Sequence, residues 1–251
     1  MTRPHERPEH ERPQPGSTRD RPARKRMRRL DILLGCGVVI AALAATWGLI
    51  QPEIEHTEPP GNTLVTYLGN SFTGGSLMDS GPNSRWPAIV SKQLDLSDVV
   101  ITSDATGYVT RGVGFANYGD LADDVPEDSA AVVILGSDDD ANKPYAKIKS
   151  AALATFATIR ARAPHAHILA IATFWVNKHP PKGIITSRDA VRDAAKQAGV
   201  MFADPIGGGW MVDDPSKTIG ADGLHPTDAG QKELAERIEP LVAELLKQPA
   251  P

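Results

Sequence analysis

Cysteine is almost absent from this 251-residue chain: Cys36 stands alone. That excludes an intramolecular disulfide and any metal site built from several thiolates, so the folded part rests on an ordinary hydrophobic core. Aromatic residues make up only 5% of the chain, which leaves little for a base-stacking platform. A glycine-rich phosphate loop ending in lysine is missing, which excludes a P-loop NTPase. Positive charge is outnumbered by negative beyond the first 29 residues. Those residues hold ten Lys/Arg against four Asp/Glu, a net +6, so within an overall −4 the remainder carries −10. A basic head on an acidic body is the wrong distribution for a nucleic-acid-binding domain, whose cations belong on the folded surface. No nucleic-acid partner is expected.

Long apolar runs are equally rare, with one exception. The Pro- and Arg-rich head, residues 1–29, has too few apolar side chains to offset the entropy of ordering and reads as a disordered tail. Directly after it, "LDILLGCGVVIAALAATWGLI", residues 30–50, is uncharged apart from Asp31 and is long enough to cross a bilayer as a helix. "RKRMRR" abuts its amino end, so the positive-inside rule puts the head in the cytoplasm and the body outside. "ALA" at 42–44 resembles a signal-peptide cleavage site, but the run continues to Ile50, longer than a usual signal core. "LLGC" has too short an apolar lead for a lipoprotein box. The expectation is a single-pass signal-anchor in the cell membrane through residues 30–50, then a Pro- and Glu-rich linker at 51–61, then an extracytoplasmic domain over 62–248.

Within that domain strand-like and helix-like runs alternate. "LVTYLG" (64–69), "VVITSDA" (99–105), "AAVVILG" (130–136), "HILAIAT" (167–173) and "VMFADP" (200–205) are short and continuously apolar or β-branched. Helical patterns lie at 85–94, 145–163, 187–199 with Ser187 as its cap and Gly199 as its stop, and 227–248. Continuous rather than alternating apolar strands predict an α/β domain with a parallel sheet covered on both faces. Ligands of such sheets sit beyond the carboxyl ends of the strands.

Those ends carry the chemistry. After the first strand comes Gly69-Asn70-Ser71; after the second, "SDATGYVTRG" with Gly107; after the third, "GSDDDAN", Gly136 to Asn142. Before the last helix stands "ADGLHPT", with Asp222 and His225 three residues apart. One tight turn can aim that carboxylate at the imidazole and leave the other ring nitrogen free. A hydroxyl, backbone amides, carboxylates and a histidine are the parts of a serine acyl hydrolase. The acidic run 138–140 reads as a solvated loop rather than a cation site, and His165 and His167 as surface residues, so no metal or other cofactor is expected. Trp175 and Trp210 follow strands and are candidates to line a pocket.

In order and position these blocks resemble the SGNH, or GDSL-type, hydrolase family, esterases, lipases and carbohydrate acetylesterases on a flavodoxin-like three-layer α/β/α sandwich. "GNSFT" is similar to the family's first block, usually Gly-Asp-Ser, "TGYVTRG" to the second, "VVILGSDDD" to the third, usually Gly-x-Asn-Asp, and "DGLHPT" to the fifth. The resemblance implies Ser71 as nucleophile, His225 as general base and Asp222 as its orienting acid. It implies Ser71, Gly107 and Asp138 as the oxyanion hole. Two departures stand out: Asn70 replaces the usual Asp of the first block, and Asp138 the usual Asn of the third. The expected substrate is an acyl ester, such as an O-acetyl or lipid ester of a cell-envelope glycan or lipid. Transfer of the acyl group to an envelope sugar uses the same triad, and a non-catalytic binding domain is the alternative that Asp138 raises.

Overall fold

The protein is described from a computed structural model, which covers residues 53–57, 63–249 and 251. The expected tail at 1–29 and the apolar run at 30–50, expected to be a signal-anchor, lie outside the described residues. Among the described residues no helix is long and apolar enough to cross a membrane.

Six strands form one sheet: β1 (Glu53–Thr57), β2 (Leu64–Gly69), β3 (Ser97–Thr102), β4 (Ala131–Leu135), β5 (His167–Ile171) and β6 (Met201–Ala203). Their spatial order is β1-β3-β2-β4-β5-β6. Pairing is parallel from β3 through β6, and β1 runs antiparallel beside β3. Leaving β1 aside, this is the flavodoxin strand order, which reverses direction between β2 and β4. The crevice for a ligand lies at that reversal.

Two structural differences from the sequence reading concern boundaries. Residues 51–61, read as a linker, contribute the edge strand β1. Pro52, Pro59 and Pro60 lie outside its paired residues, and an edge strand pairs on one side only, so the composition is compatible with pairing. The helix expected to start at Ser187 starts at Lys182, after the extended Pro181, and Ser187 is buried within it.

Strand residues alternate between two cores, as a period of two demands. Leu68, Ile101 and Ile134 pack under α3 (Tyr118–Leu121), α4 (Tyr145–Arg162) and α5 (Lys182–Ala198), through Tyr118, Phe156 and Ala194. Tyr67, Val133 and Leu135 face the other way, onto α2 (Trp86–Leu94) and α7 (Asp228–Leu245), through Trp86, Val90, Leu234 and Ile238. Two shorter helices, α1 (Ser71–Gly74) and α6 (Pro215–Thr218), sit in loops. The three-layer α/β/α architecture thus buries both sheet faces and leaves the strand ends for chemistry.

Candidate active site

β2 delivers Ser71. The strand ends at Gly69, Asn70 caps the next turn by accepting from the Phe72 amide at 3.0 Å, and Ser71 opens the short helix α1. Only glycine fits at 69: a Cβ there would stand 2.2 Å from Thr73 Oγ1, so the helical turn could not fold back on the strand. Asn70 also binds outward. Its Nδ2 donates to Ser137 Oγ at 3.0 Å and to Asp139 Oδ2 at 3.2 Å. Ser137 in turn donates to Asp139 at 2.7 Å and receives the Asp139 amide at 2.9 Å. The β2 and β4 loops are therefore tied together across the crevice.

The turn before α7 delivers the histidine. Asp222 Oδ1 accepts the amides of Leu224 and His225, each at 3.0 Å, which closes the turn. Its Oδ2 lies 2.7 Å from His225 Nδ1, and His225 Nε2 lies 2.9 Å from Ser71 Oγ. Burial pushes the Asp222 carboxyl up, but the Leu224 amide, the His225 ring and the His225 amide outweigh it and hold the group below the ordinary carboxylate range. An ionised Asp222 makes Nδ1 the protonated nitrogen and leaves Nε2 as an acceptor for the serine proton. Thr227 caps α7 by accepting from the Gly230 amide, so the turn is anchored to a long helix.

The cleft over these residues encloses about 760 Å³ and is lined by Ser71, His225, Asp138, Ala105, Leu77 and Met78 among others. That volume lies in the range of small-molecule sites. Burial first, then the neighbouring Asp139 carboxylate, push Asp138 up to about 6, against the pull of its own backbone and of His225.

The structure separates Gly107 from the other candidates. Its amide donates to Thr110 O at 3.0 Å, and it is not among the residues that line the cleft. A Cβ there would stand 2.6 Å from Asp140 Oδ2, so close packing explains the glycine. Asp140 is buried and accepts from the Thr110 amide and hydroxyl at 2.9 Å each, with the Val109 amide beside them. The acidic run is thus not a uniformly solvated loop: its three carboxylates serve a cleft wall, a cross-link and a buried anchor.

From the same block, Asp104 and Ala105 line the cleft instead. Ala105 adopts a left-handed conformation, φ 54°. Asp104 O accepts the Val113 amide at 2.9 Å. A trans peptide sets its C=O and N–H on opposite edges, so the Ala105 N–H points away from Val113. Among the described residues neither it nor the Ser71 N–H has an acceptor. Sequence reasoning missed Ala105, because an alanine gives no sign of a left-handed backbone. Trp175 and Trp210 line a separate cavity of about 210 Å³, with Asn177 and Lys178.

Comparison with known proteins gives the family and the fold. The model of the GDSL-like Lipase/Acylhydrolase family matches residues 67–233. GDSL lipase Rv0518 of Mycobacterium tuberculosis is 34% identical over 188 residues, covering 71% of this chain and 81% of that protein. An active-site mutant of a family two carbohydrate esterase from Clostridium thermocellum superposes with TM-score 0.61 at 19% identity, over 76% of this chain and 65% of that one. Est24, a carbohydrate acetylesterase from Sinorhizobium meliloti, gives 0.59 at 16% identity, over 73% and 100%. At such identities the solved structures speak for the fold alone. By family model and relative, the chain belongs to the GDSL-like Lipase/Acylhydrolase family and is a carboxylic ester hydrolase.

Proposed function

We propose that the chain cleaves an acyl ester through a covalent Ser71 intermediate. Ser71 Oγ attacks the ester carbonyl while His225 Nε2 takes its proton, and Asp222 holds the ring and stabilises the imidazolium. The carbonyl π electrons move onto oxygen, where the Ser71 and Ala105 amides donate to it. On collapse the alkoxide leaves with the proton from Nε2. Water then attacks the acyl-Ser71 and gives its proton to the same nitrogen; on collapse the bond to Ser71 Oγ breaks, Oγ regains the proton from Nε2, and the carboxylic acid departs.

The observation that carries this reading is the continuous hydrogen-bonded chain Ser71–His225–Asp222 at the strand-order reversal. Asp138 forms the third wall of the oxyanion pocket, as a donor while protonated and as a repelling charge once ionised. Outward placement in the cell membrane, with an envelope glycan or lipid ester as substrate, rests on the sequence of residues 1–50. Transfer to a sugar hydroxyl needs only that the alcohol reach the acyl-enzyme before water.

The test is labelling by a fluorophosphonate and p-nitrophenyl acetate hydrolysis by the full chain. The parent labels and turns over, and Ser71→Ala does neither while melting at an unchanged temperature. Equal turnover in the two would sink the proposal. A burst in acyl product with an added alcohol, at the expense of free acid, would assign the transfer variant.

A further inference from the structure

We propose that Trp86 is a positioning residue that sets Ser71 against His225, bonding the nucleophile's helix with one N–H and the helix behind the histidine with the other. The proposal rests on the triad reading of the cleft and adds what holds its two halves in register.

Ser71 and His225 arrive on separate parts of the fold, so the 2.9 Å between Oγ and Nε2 needs a support outside both. The bonds that shape the histidine turn are internal to it. Asp222 accepts the Leu224 and His225 amides, and the Gly220 amide donates to His225 O at 2.8 Å. None of these reaches β2 or α1. They fix how Asp222 meets the imidazole, not where the imidazole stands over Ser71.

Trp86 spans that gap. It is fully buried, with its ring edge-on to Tyr67 of β2, centroids 5.0 Å apart at 84°. Its Nε1 donates at 3.1 Å to the carbonyl of Phe72, the residue after Ser71. That carbonyl is left over because α1 ends after one turn. The Ser76 amide, which would bond it in a longer helix, goes to Asp79 Oδ2 at 2.8 Å. The backbone amide of Trp86 donates to Gln231 Oε1 at 3.1 Å. Gln231 in turn bonds Thr227 O through its own amide at 2.8 Å, two residues past His225. Three hydrogen bonds therefore run from the neighbour of the nucleophile to the neighbourhood of the base.

Gln231 shows the same purpose independently. Trp86 opens α2 with no side-chain cap from Arg85, so its amide is an orphan donor that needs an acceptor. The acceptor comes from another helix, on a glutamine with no exposed surface. Its Nε2 has no partner among the described residues. Burying an amide with one end unsatisfied weakens a fold. What it supplies is a fixed distance between α2 and the start of α7. A second tie, from the Ser80 amide to Asp228 Oδ1 at 2.7 Å, is exposed, where water competes for both groups.

The test compares three variants of the full chain. Trp86→Phe keeps a ring against Tyr67 and loses the indole N–H; Gln231→Met keeps the volume and loses the acceptor; Gln231→Glu keeps an acceptor oxygen. Hydrolysis of p-nitrophenyl acetate is measured well below each melting temperature and divided by the sites that a fluorophosphonate titrates. Trp86→Phe and Gln231→Met are expected to lower kcat at least tenfold with KM within twofold, because a misplacement of about 1 Å can cost about 10² in rate. Gln231→Glu recovers most of that loss. A role in stability alone lowers the melting temperature and leaves kcat per site at the parent's value, which overturns the proposal. So does an equal loss in Ser80→Ala, which assigns the positioning to the exposed tie.

A second readout needs no turnover. His225 lies edge-on to Phe72, centroids 5.8 Å apart at 69°, so its ring protons carry a shift that records where the turn stands relative to α1. Proton magnetic resonance should find that shift changed in Gln231→Met, where no aromatic ring is altered, and recovered in Gln231→Glu. An unchanged shift overturns the proposal. A failed triad reading, seen as parent activity no higher than Ser71→Ala, leaves this readout standing, so the two failures are told apart.

Discussion

Replacing Asp138 by Asn tests the oxyanion pocket where this chain departs from its family. The folded carboxyl titrates at about 6, against an ordinary value of 3.8. At pH 7 roughly one molecule in ten therefore carries the proton that lets Asp138 donate. Loss of one oxyanion donor costs about 10²–10³ in rate, so turnover tracks the protonated fraction. Asp138→Asn donates at every pH. It should match the parent near pH 5, exceed it about tenfold at pH 7 and approach a hundredfold at pH 8. Stability moves with it. The folded carboxyl binds its proton more tightly than the unfolded one, so its contribution is full below the unfolded value and is lost as pH rises through about 6. About two pH units correspond to about 3 kcal/mol, reduced to about 1–2 kcal/mol because the carboxyl is partly open to solvent. Asp138→Asn should thus melt about 2–6 °C above the parent at pH 8 and alongside it at pH 4. The assays are p-nitrophenyl acetate turnover and thermal melts from pH 4 to 9. Parallel rate profiles above pH 6, with a melting difference independent of pH, would refute the reasoning.

Three further outcomes follow from the same contacts. Asp222→Asn keeps an oxygen for the Leu224 and His225 amides but cannot hold the imidazolium, so kcat falls by roughly 10³–10⁴ with melting unchanged; a loss under tenfold argues that another group orients His225. Asp140→Ala strips the acceptor from the Thr110 amide and hydroxyl and costs about 2–4 kcal/mol in urea unfolding, because the site is buried. Asn70→Asp, alone, sets a carboxylate against Asp139 and costs about 1–2 kcal/mol at pH 8; combined with Asp138→Asn, a deviation from additivity above about 0.5 kcal/mol measures the coupling of the two loops.

Much of this arrangement is legible in the sequence because its determinants are local. The β2, β4 and β5 strands are short runs dominated by apolar and β-branched residues, and Asp222 and His225 share one turn, so three-residue spacing is enough to pair them. Ser71 and His225 are 154 positions apart, yet the strand-end rule for parallel sheets brings both to one edge. What is hidden depends on backbone sign and on depth. Gly107 advertises a flexible amide, but that amide is spent on Thr110, and the residue is glycine because Asp140 lies against it. Ala105 takes the left-handed turn and advertises nothing. Asp138, Asp139 and Asp140 look alike in a row, and only the 3₁₀ turn they form sends them in three directions. The edge strand β1 is hidden for another reason: its pairing is supplied by β3, not by its own composition.

The two departures from the family pattern, Asn70 and Asp138, make better sense together than apart. The resemblance expects a carboxylate in the first block and an amide in the third; this chain has the amide first and the carboxylate third, so the site's charge is unchanged by the exchange. The contacts explain why the first half of the exchange is tolerated. Asn70 Oδ1 accepts from the Phe72 amide, which fixes Nδ2 toward Asp139 and Ser137. A carboxylate at 70 could still cap the turn, but it would present an acceptor to an acceptor at Asp139. An amide there binds the β4 loop directly. The second half carries a cost, since it puts an ionisable group in the oxyanion wall. That cost vanishes where Asp138 is protonated. On the proposed oxyanion role, turnover is therefore expected to rise as pH falls from 8 toward 6, and a p-nitrophenyl acetate profile that stays flat over that range counts against it.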